Sequence, residues 1–318
     1  MSDNEGSCCA PQRPEDESRL TSLIATSSFK SPGGEFLTIP AGEFVMGTND
    51  SFYPTDGENP SRSVWVDEFR IGKYATTNAE FAEFVNATGY VTEAQNYGWS
   101  YVFKGLINEI SDSSQLAGIA SSAPWWLAIK NANWFYPFGN SLTIEELLDH
   151  PVVHVTHNDA LEYCNWAGYK LPTEAQWEKA SRGGLEQALY PWGNDLLTHG
   201  QHNANIWQGD FPNLNSQEDG FFGTAPVNSF KPNGFGLYNS VGNVWEWTND
   251  FWSSRWHIPE SIETRKNPVG PQKASGNKVL KGGSFMCHDS YCYRYRNSAR
   301  TFDSPNTSTS NIGSRCVI

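Results

Sequence analysis

The chain lacks any apolar run approaching the roughly 20 residues that span a bilayer, and its mean hydropathy is −0.54. A transmembrane helix is therefore excluded. The opening stretch, MSDNEGSCCAPQRPEDESR, has neither a basic n-region nor an apolar h-region, so no secretory signal is expected and a cytoplasmic location is. Basic residues are in deficit: 22 Lys and Arg face 35 Asp and Glu, a net charge of −13 over 318 residues. That balance argues against a nucleic-acid partner and against an anionic membrane surface. Cysteine is sparse. The six present (Cys8, Cys9, Cys164, Cys287, Cys292 and Cys316) are too few for a disulfide scaffold, and in a reducing compartment cysteines serve more often as ligands, catalysts or buried hydrophobes. Aliphatic stripes at helical spacing are scarce as well, which disfavours an all-α bundle.

What is abundant is glycine, proline and aromatic side chains: 28 Gly, 18 Pro, 13 Trp, 13 Tyr and 18 Phe. This composition describes a loop-rich body held by large rings. Residues 1–35 are polar and acidic, with too few apolar groups for a core, and read as a disordered tail that includes Cys8 and Cys9. Residues 36–318 read as a single α+β domain with few helices, short strands and much irregular structure. FLTIPAGEFVMG predicts a β-hairpin around Pro40-Ala41-Gly42, and Val64 to Tyr74 another strand pair. Capping boxes at Thr77–Glu80 and Thr173–Gln176 predict helix starts, with Gly89 and Gly183 as stops. A further helix is expected from near Asn158 to Gly168, turning Cys164 to the core.

The sharpest chemical feature is Gly282-Gly283-Ser284-Phe285-Met286-Cys287-His288-Asp289-Ser290-Tyr291-Cys292. Five residues separate the two cysteines, an offset that puts them on opposite faces of a strand and about 140° apart on a helix. They meet only if the chain turns at His288-Asp289-Ser290. A tetrahedral structural zinc site commonly draws on paired C-x2-C units, and no second such pair exists. Two thiolates suit a soft ion of low coordination, Cu(I) first, and equally suit a redox dithiol or a plain structural pair. Five basic residues from Lys278 to Arg300 against the lone Asp289 are expected to favour the thiolate.

Two oxygen-rich stretches could hold a hard cation. In the first, Asn239, Gly242, Val244 and Glu246 offer an amide, two carbonyls and a carboxylate, with both carbonyls pointing the same way as Glu246 if the chain is extended. In the second, Asn205 and Ile206 combine with Asp219 and Phe221. Calcium accepts such irregular shells, and ordinary turn chemistry explains them equally. His150, His154 and His157 share no regular element that would unite them as ligands. Tyr190-Pro191-Trp192 and Pro124-Trp125-Trp126 are either walls of a peptide groove or core.

IPAGEFVMG, KLPTEAQWEKASRGG, YPWGN, NVWEWTND and KGGSF, in this order, resemble the formylglycine-generating (sulfatase-modifying) family, whose fold is related to C-type lectins. GGSFMCHDSYCYRYR is similar to the catalytic stretch of its active members, and ANIWQGDFP and PNGFGLYNSVGNVWEW extend the match from Phe36 to the C-terminus. The resemblance implies an oxidase that binds an unfolded sulfatase segment, Cys-x-Pro-x-Arg, and converts its cysteine to formylglycine with O2. It implies Cys287 and Cys292 as Cu(I) ligands, the substrate thiolate as a third sulfur, and Ser284 and His288 as further active-site residues. It also implies structural Ca2+ at Asn205, Ile206, Asp219 and Phe221 and at Asn239, Gly242, Val244 and Glu246. Trp125 matches an aromatic of the substrate groove. Trp99 stands where some members carry an acid that holds the substrate arginine. Ser181 and Asn297 occupy the positions of one family disulfide, while Cys164 and Cys316 occupy the other. A monomer is expected. The superfamily also contains non-catalytic, calcium-stabilised peptide-binding modules, which form the alternative reading; a thiol-disulfide oxidoreductase is disfavoured because no C-x-x-C follows a βαβ pattern.

Overall fold

A computed structural model describes residues 10–13, 34–107, 113–139, 143–271 and 276–318. Strands β1 (Phe36–Ile39), β2 (Gly42–Met46), β3 (Arg62–Val66) and β4 (Phe69–Gly72) precede helices α1 (Asn78–Thr88) and α2 (Glu93–Tyr97). Strands β5 (Trp99–Phe103), β6 (Leu116–Ile119) and β7 (Trp126–Lys130) follow, then helices α3 (His157–Ala167) and α4 (Glu174–Arg182). Two small ribbons come next, β8 (Leu197–Thr198) with β9 (Gln201–His202) and β10 (Gly209–Asp210) with β11 (Leu214–Asn215). The chain ends with β12 (Trp245–Phe251), α5 (Ile262–Arg265), β13 (Lys278–Lys281), β14 (Arg300–Asp303) and β15 (Ile312–Ser314). The fold is α+β, with short strands and long irregular connections.

The helix starts follow local hydrogen-bond rules. Thr77, Thr156 and Thr173 each accept from the backbone N–H three residues on, while Glu80, Asp159 and Gln176 reach back, and Gly89, Gly168 and Gly183 close the helices in the left-handed region. α2 has the same device, Thr92 with Gln95, and was not anticipated although the pattern stands in the sequence.

The strand pairings differ from expectation. β1 and β2 do not form a hairpin, and β3 and β4 do not pair with each other; β1 pairs antiparallel with β4, and β2 with β3. The Lys179 ammonium accounts for the parting at the Pro40–Gly42 corner. It donates to the carbonyls of Pro40 (2.7 Å), Gly42 (2.9 Å) and Val66 (3.2 Å), satisfying acceptors that a hairpin turn would have used internally. The body of the site is a four-stranded sheet, ordered β14-β13-β12-β15, in which only β12 and β15 run parallel. Trp245, Trp247, Trp177 and Trp207 are buried in and around it. Residues 10–13 of the stretch read as a tail are packed on the body: Ala10 is fully buried and Arg13 is 4% exposed. Cys8 and Cys9 lie outside the described residues.

Candidate active site

β13 leaves the sheet through Gly282 and Gly283, at φ of 97° and 77°. A Cβ on Gly282 would lie 2.6 Å from the Ser240 carbonyl, so only glycine allows this exit. The bend delivers Ser284 to the sheet end where β12 and β15 begin. The chain then turns. The His288 carbonyl accepts the N–H groups of Tyr291 (3.0 Å) and Cys292 (2.6 Å), and the turn brings Cys287 Sγ to 3.1 Å from Cys292 Sγ. Neither cysteine is in a disulfide, and both are almost fully buried. The convergence demanded by the five-residue spacing is thus met at the predicted bend. A separation of 3.1 Å is well beyond the roughly 2.05 Å of a disulfide bond.

Ser284 N–H donates to Cys287 Sγ at 3.3 Å, the contact that stabilises developing negative charge on that sulfur. Ser284 Oγ accepts from Asn311 Nδ2 (2.9 Å) and from Met286 N–H (3.4 Å), which leaves its own proton to donate. Asn311, immediately before β15, was missed in the sequence reading because no local pattern distinguishes it. His288 turns outward: its Nδ1 meets Ser290 Oγ at 2.8 Å and Asp289 Oδ1 at 3.1 Å. Half-buried Tyr291 lies edge-on to Trp125 at 5.0 Å and stacked on Phe211 at 4.4 Å, forming an aromatic wall beside Cys292. Trp126, by contrast, is core.

The electropositive surroundings expected of the thiols are not found. Arg294 pairs with Asp56, Arg296 with Glu58, Arg300 with Glu174 and Lys281 with Glu178, while Lys278 caps the Asn249 carbonyl. Acids remote in sequence cancel the local excess of positive charge. What remains near Cys287 is a peptide dipole rather than a cation.

Of the oxygen-rich sets, Asn205 and Asn239 each present a side-chain oxygen that is buried and has no hydrogen-bond partner among the described residues. Orphaned acceptors of this kind fit a hard cation. Their companions are engaged with donors. Asp219 accepts from Ile206 N–H (3.0 Å), Gln208 Nε2 (2.8 Å) and Phe221 N–H (3.0 Å), and burial raises its pKa; the Gln208 amide also contacts the Ile206 carbonyl. Glu246 accepts from Arg315 Nε (2.7 Å), Arg315 Nη2 (2.8 Å) and Trp177 Nε1 (2.6 Å). The extended backbone assumed for Gly242 to Val244 is also corrected: Gly242 and Asn243 have φ of 77° and 63°. This region abuts the thiol turn, since Trp207 N–H donates to the Cys287 carbonyl and Phe285 N–H to that of Asn243.

The three histidines have separate partners. His150 meets Thr224, His154 bridges Ser100 and the Pro137 carbonyl, and His157 meets the Thr248 carbonyl. Burial holds His154 and His157 down to a pKa of about 3, so both are neutral. Among the described residues, no three His, Cys, Asp or Glu side chains gather as a metal-binding group. Cys164 and Cys316 lie 3.2 Å apart, both free and buried, and Ser181 Oγ donates to Asn297 Oδ1 at 2.8 Å. Trp99 receives a guanidinium: that of Arg13 lies 4.1 Å from the Trp99 ring and 4.0 Å from the Tyr97 ring. Arg13 Nη2 donates to the Trp99 carbonyl (3.1 Å) and to Ser308 Oγ (2.9 Å).

A mixed α+β scaffold of this kind, carrying a thiol pair on a turn at one end of its central sheet, defines a class rather than a single activity. The sulfatase-modifying factor enzyme 1-like domain model matches residues 22–318, and the chain belongs to that family. It is 50% identical over 313 residues to the formylglycine-generating enzyme of Bos taurus, covering 98% of this chain and 82% of the relative. It is 41% identical over 282 residues to the inactive C-alpha-formylglycine-generating enzyme 2 of Bos taurus, covering 88% and 86%. Among solved structures it resembles PvdO from Pseudomonas aeruginosa, with a TM-score of 0.65 at 22% identity over 93% of this chain and 99% of that one. The cytoplasmic placement, which rested on a start without a secretory signal, is overturned by the comparison with the formylglycine-generating enzymes of Bos taurus and Mus musculus. No helix among the described residues is long and apolar enough to cross a membrane.

Proposed function

We propose that the chain is a copper-dependent oxidase that converts the cysteine of a Cys-x-Pro-x-Arg segment in sulfatase-type proteins to formylglycine, with O2 as the electron acceptor. The observation that carries this reading is the pair of reduced, buried cysteines at 3.1 Å on a turn beside a half-buried aromatic wall. Cys287 and Cys292 would hold Cu(I), a fit of soft donors to a soft ion. Bound there, copper would supply the one-electron and O2 chemistry that side chains lack.

The protein's own groups prepare the reaction. The Ser284 N–H steadies charge on Cys287 Sγ, and Asn311 fixes the Ser284 hydroxyl so that its proton points away from the amide. Tyr291, Trp125 and Phe211 exclude water on the Cys292 side and offer a surface to an extended peptide. The substrate cysteine would pass two electrons and two protons to O2, giving hydrogen peroxide and a thioaldehyde, and water would then replace the sulfur at its Cβ, released as hydrogen sulfide, to give the aldehyde. His288, turned to Ser290 and Asp289, serves the turn.

Residues 36–318 form one domain in this reading, and calcium bound at the orphaned Asn205 and Asn239 oxygens stiffens the loops behind the thiol turn. Excess chelator should then lower the melting temperature. The central test is incubation of the copper-loaded protein under air with a Cys-x-Pro-x-Arg peptide. The mass spectrum should show the aldehyde and its hydrate; a peptide of unchanged mass sinks the proposal.

A further inference from the structure

The chain carries its own Cys-x-Pro-x-Arg sequence: Cys9-Ala10-Pro11-Gln12-Arg13. The described part, Ala10 to Arg13, lies on the body rather than in solvent. Ala10 and Pro11 are buried, and the Arg13 guanidinium is sandwiched by Tyr97 and Trp99, with Nη2 bonded to the Trp99 carbonyl and Ser308 Oγ. Arg13 N–H donates to Thr307 Oγ1 at 3.3 Å. Ring faces take the part that an acid would otherwise play for a guanidinium.

This seat is in line with the thiol centre. Ser308, which holds Arg13, is three residues from Asn311, which bonds Ser284, whose N–H is on Cys287. Three residues cover at most about 11 Å, and the four that separate arginine from cysteine in the motif cover at most about 14 Å. An arginine anchored at Ser308 is therefore connected to the thiol pair through Asn311 and Ser284, over a path of the same order as the reach of the motif. The occupant is also imperfectly held. Nε and Nη1 of Arg13 are buried without partners among the described residues, a cost that favours release once a better-bonded arginine arrives.

We propose that residues 10–13 are a tethered substrate mimic, with Arg13 filling the subsite for the arginine of an incoming Cys-x-Pro-x-Arg peptide. The proposal rests on the substrate reading above. A short tether supplies an effective concentration on the order of millimolar, so the segment competes with peptide without blocking chemistry once peptide is bound. In the full-length, copper-loaded protein, Arg13→Ala should lower KM for added Cys-x-Pro-x-Arg peptide at least about threefold and leave kcat unchanged; an equal or higher KM overturns the proposal. A fluorescent Ser-x-Pro-x-Arg peptide, which has no thiol to oxidise, should bind Arg13→Ala more tightly by the same factor. Equal Kd values overturn the proposal, whereas tighter binding with no turnover of the thiol peptide by either protein upholds it and sinks the catalytic reading. Hydrogen exchange gives a third readout that needs no turnover. The amides of residues 12 and 13 should exchange about tenfold faster in Arg13→Ala, and also in unmutated protein saturated with Ser-x-Pro-x-Arg peptide; exchange unaltered by both also overturns the mimic.

Discussion

The described residues contain two pairs of reduced, buried sulfurs at nearly the same separation, 3.1 Å for Cys287 and Cys292 and 3.2 Å for Cys164 and Cys316. Their settings differ. The first pair spans five residues around a bend, receives the Ser284 amide and abuts half-buried Tyr291 and Trp125. The second links α3 to the segment that follows β15, across 152 residues, and faces Thr76 Oγ1 within the core. Sulfur proximity alone thus says little. A pair becomes a reaction centre when its backbone can supply a dipole and its neighbours leave a way in.

Substitution separates the two pairs. Cys287→Ala or Cys292→Ala should abolish stoichiometric copper binding and cut peptide turnover by at least about 1000-fold, losses of the size seen when an essential reacting group is removed, with a melting temperature close to wild type. Copper titration and peptide mass spectra read this directly; copper binding that survives either change would collapse the contrast. Ser284→Ala should lower kcat by about 10- to 100-fold, the range for a positioned donor, while KM stays within about twofold.

Smaller effects are expected at the core pair. Cys164→Ala should leave turnover within about twofold of wild type but remove about 1–2 kcal/mol of stability, a small cavity in packed surroundings. Denaturant unfolding measures it, and a loss of activity with stability preserved would show that the core sulfurs are not merely structural. Burial raises the Cys164 pKa well above that of an ordinary thiol. Since the thiolate is the nucleophile, Cys164 should stay unalkylated by iodoacetamide at pH 8 in native protein and react only as the pH climbs toward the raised value or the chain unfolds. Peptide mapping of the labelled protein gives the answer.

Features set by neighbours in sequence were legible before any coordinates. The caps at Thr77 and Thr173 follow from hydrogen bonds three residues long, and the bend at His288-Asp289-Ser290 follows from the parity of strand and helix. Features set by distant residues were not. The exchange of partners among β1 to β4 depends on Lys179, more than 100 residues away, and the charge around the thiols is cancelled by Asp56, Glu58, Glu174 and Glu178. Asn311 and the seat for Arg13 are of the same kind, since no local periodicity marks a side chain whose partner lies in another part of the chain.

At Ser181 and Asn297, positions that the family resemblance gives to a disulfide, a hydroxyl donates to an amide oxygen at 2.8 Å. Such a clasp neither forms nor breaks with electron transfer. This corner should close as soon as the surrounding strands assemble, without an oxidant, and a strong reductant should leave it shut.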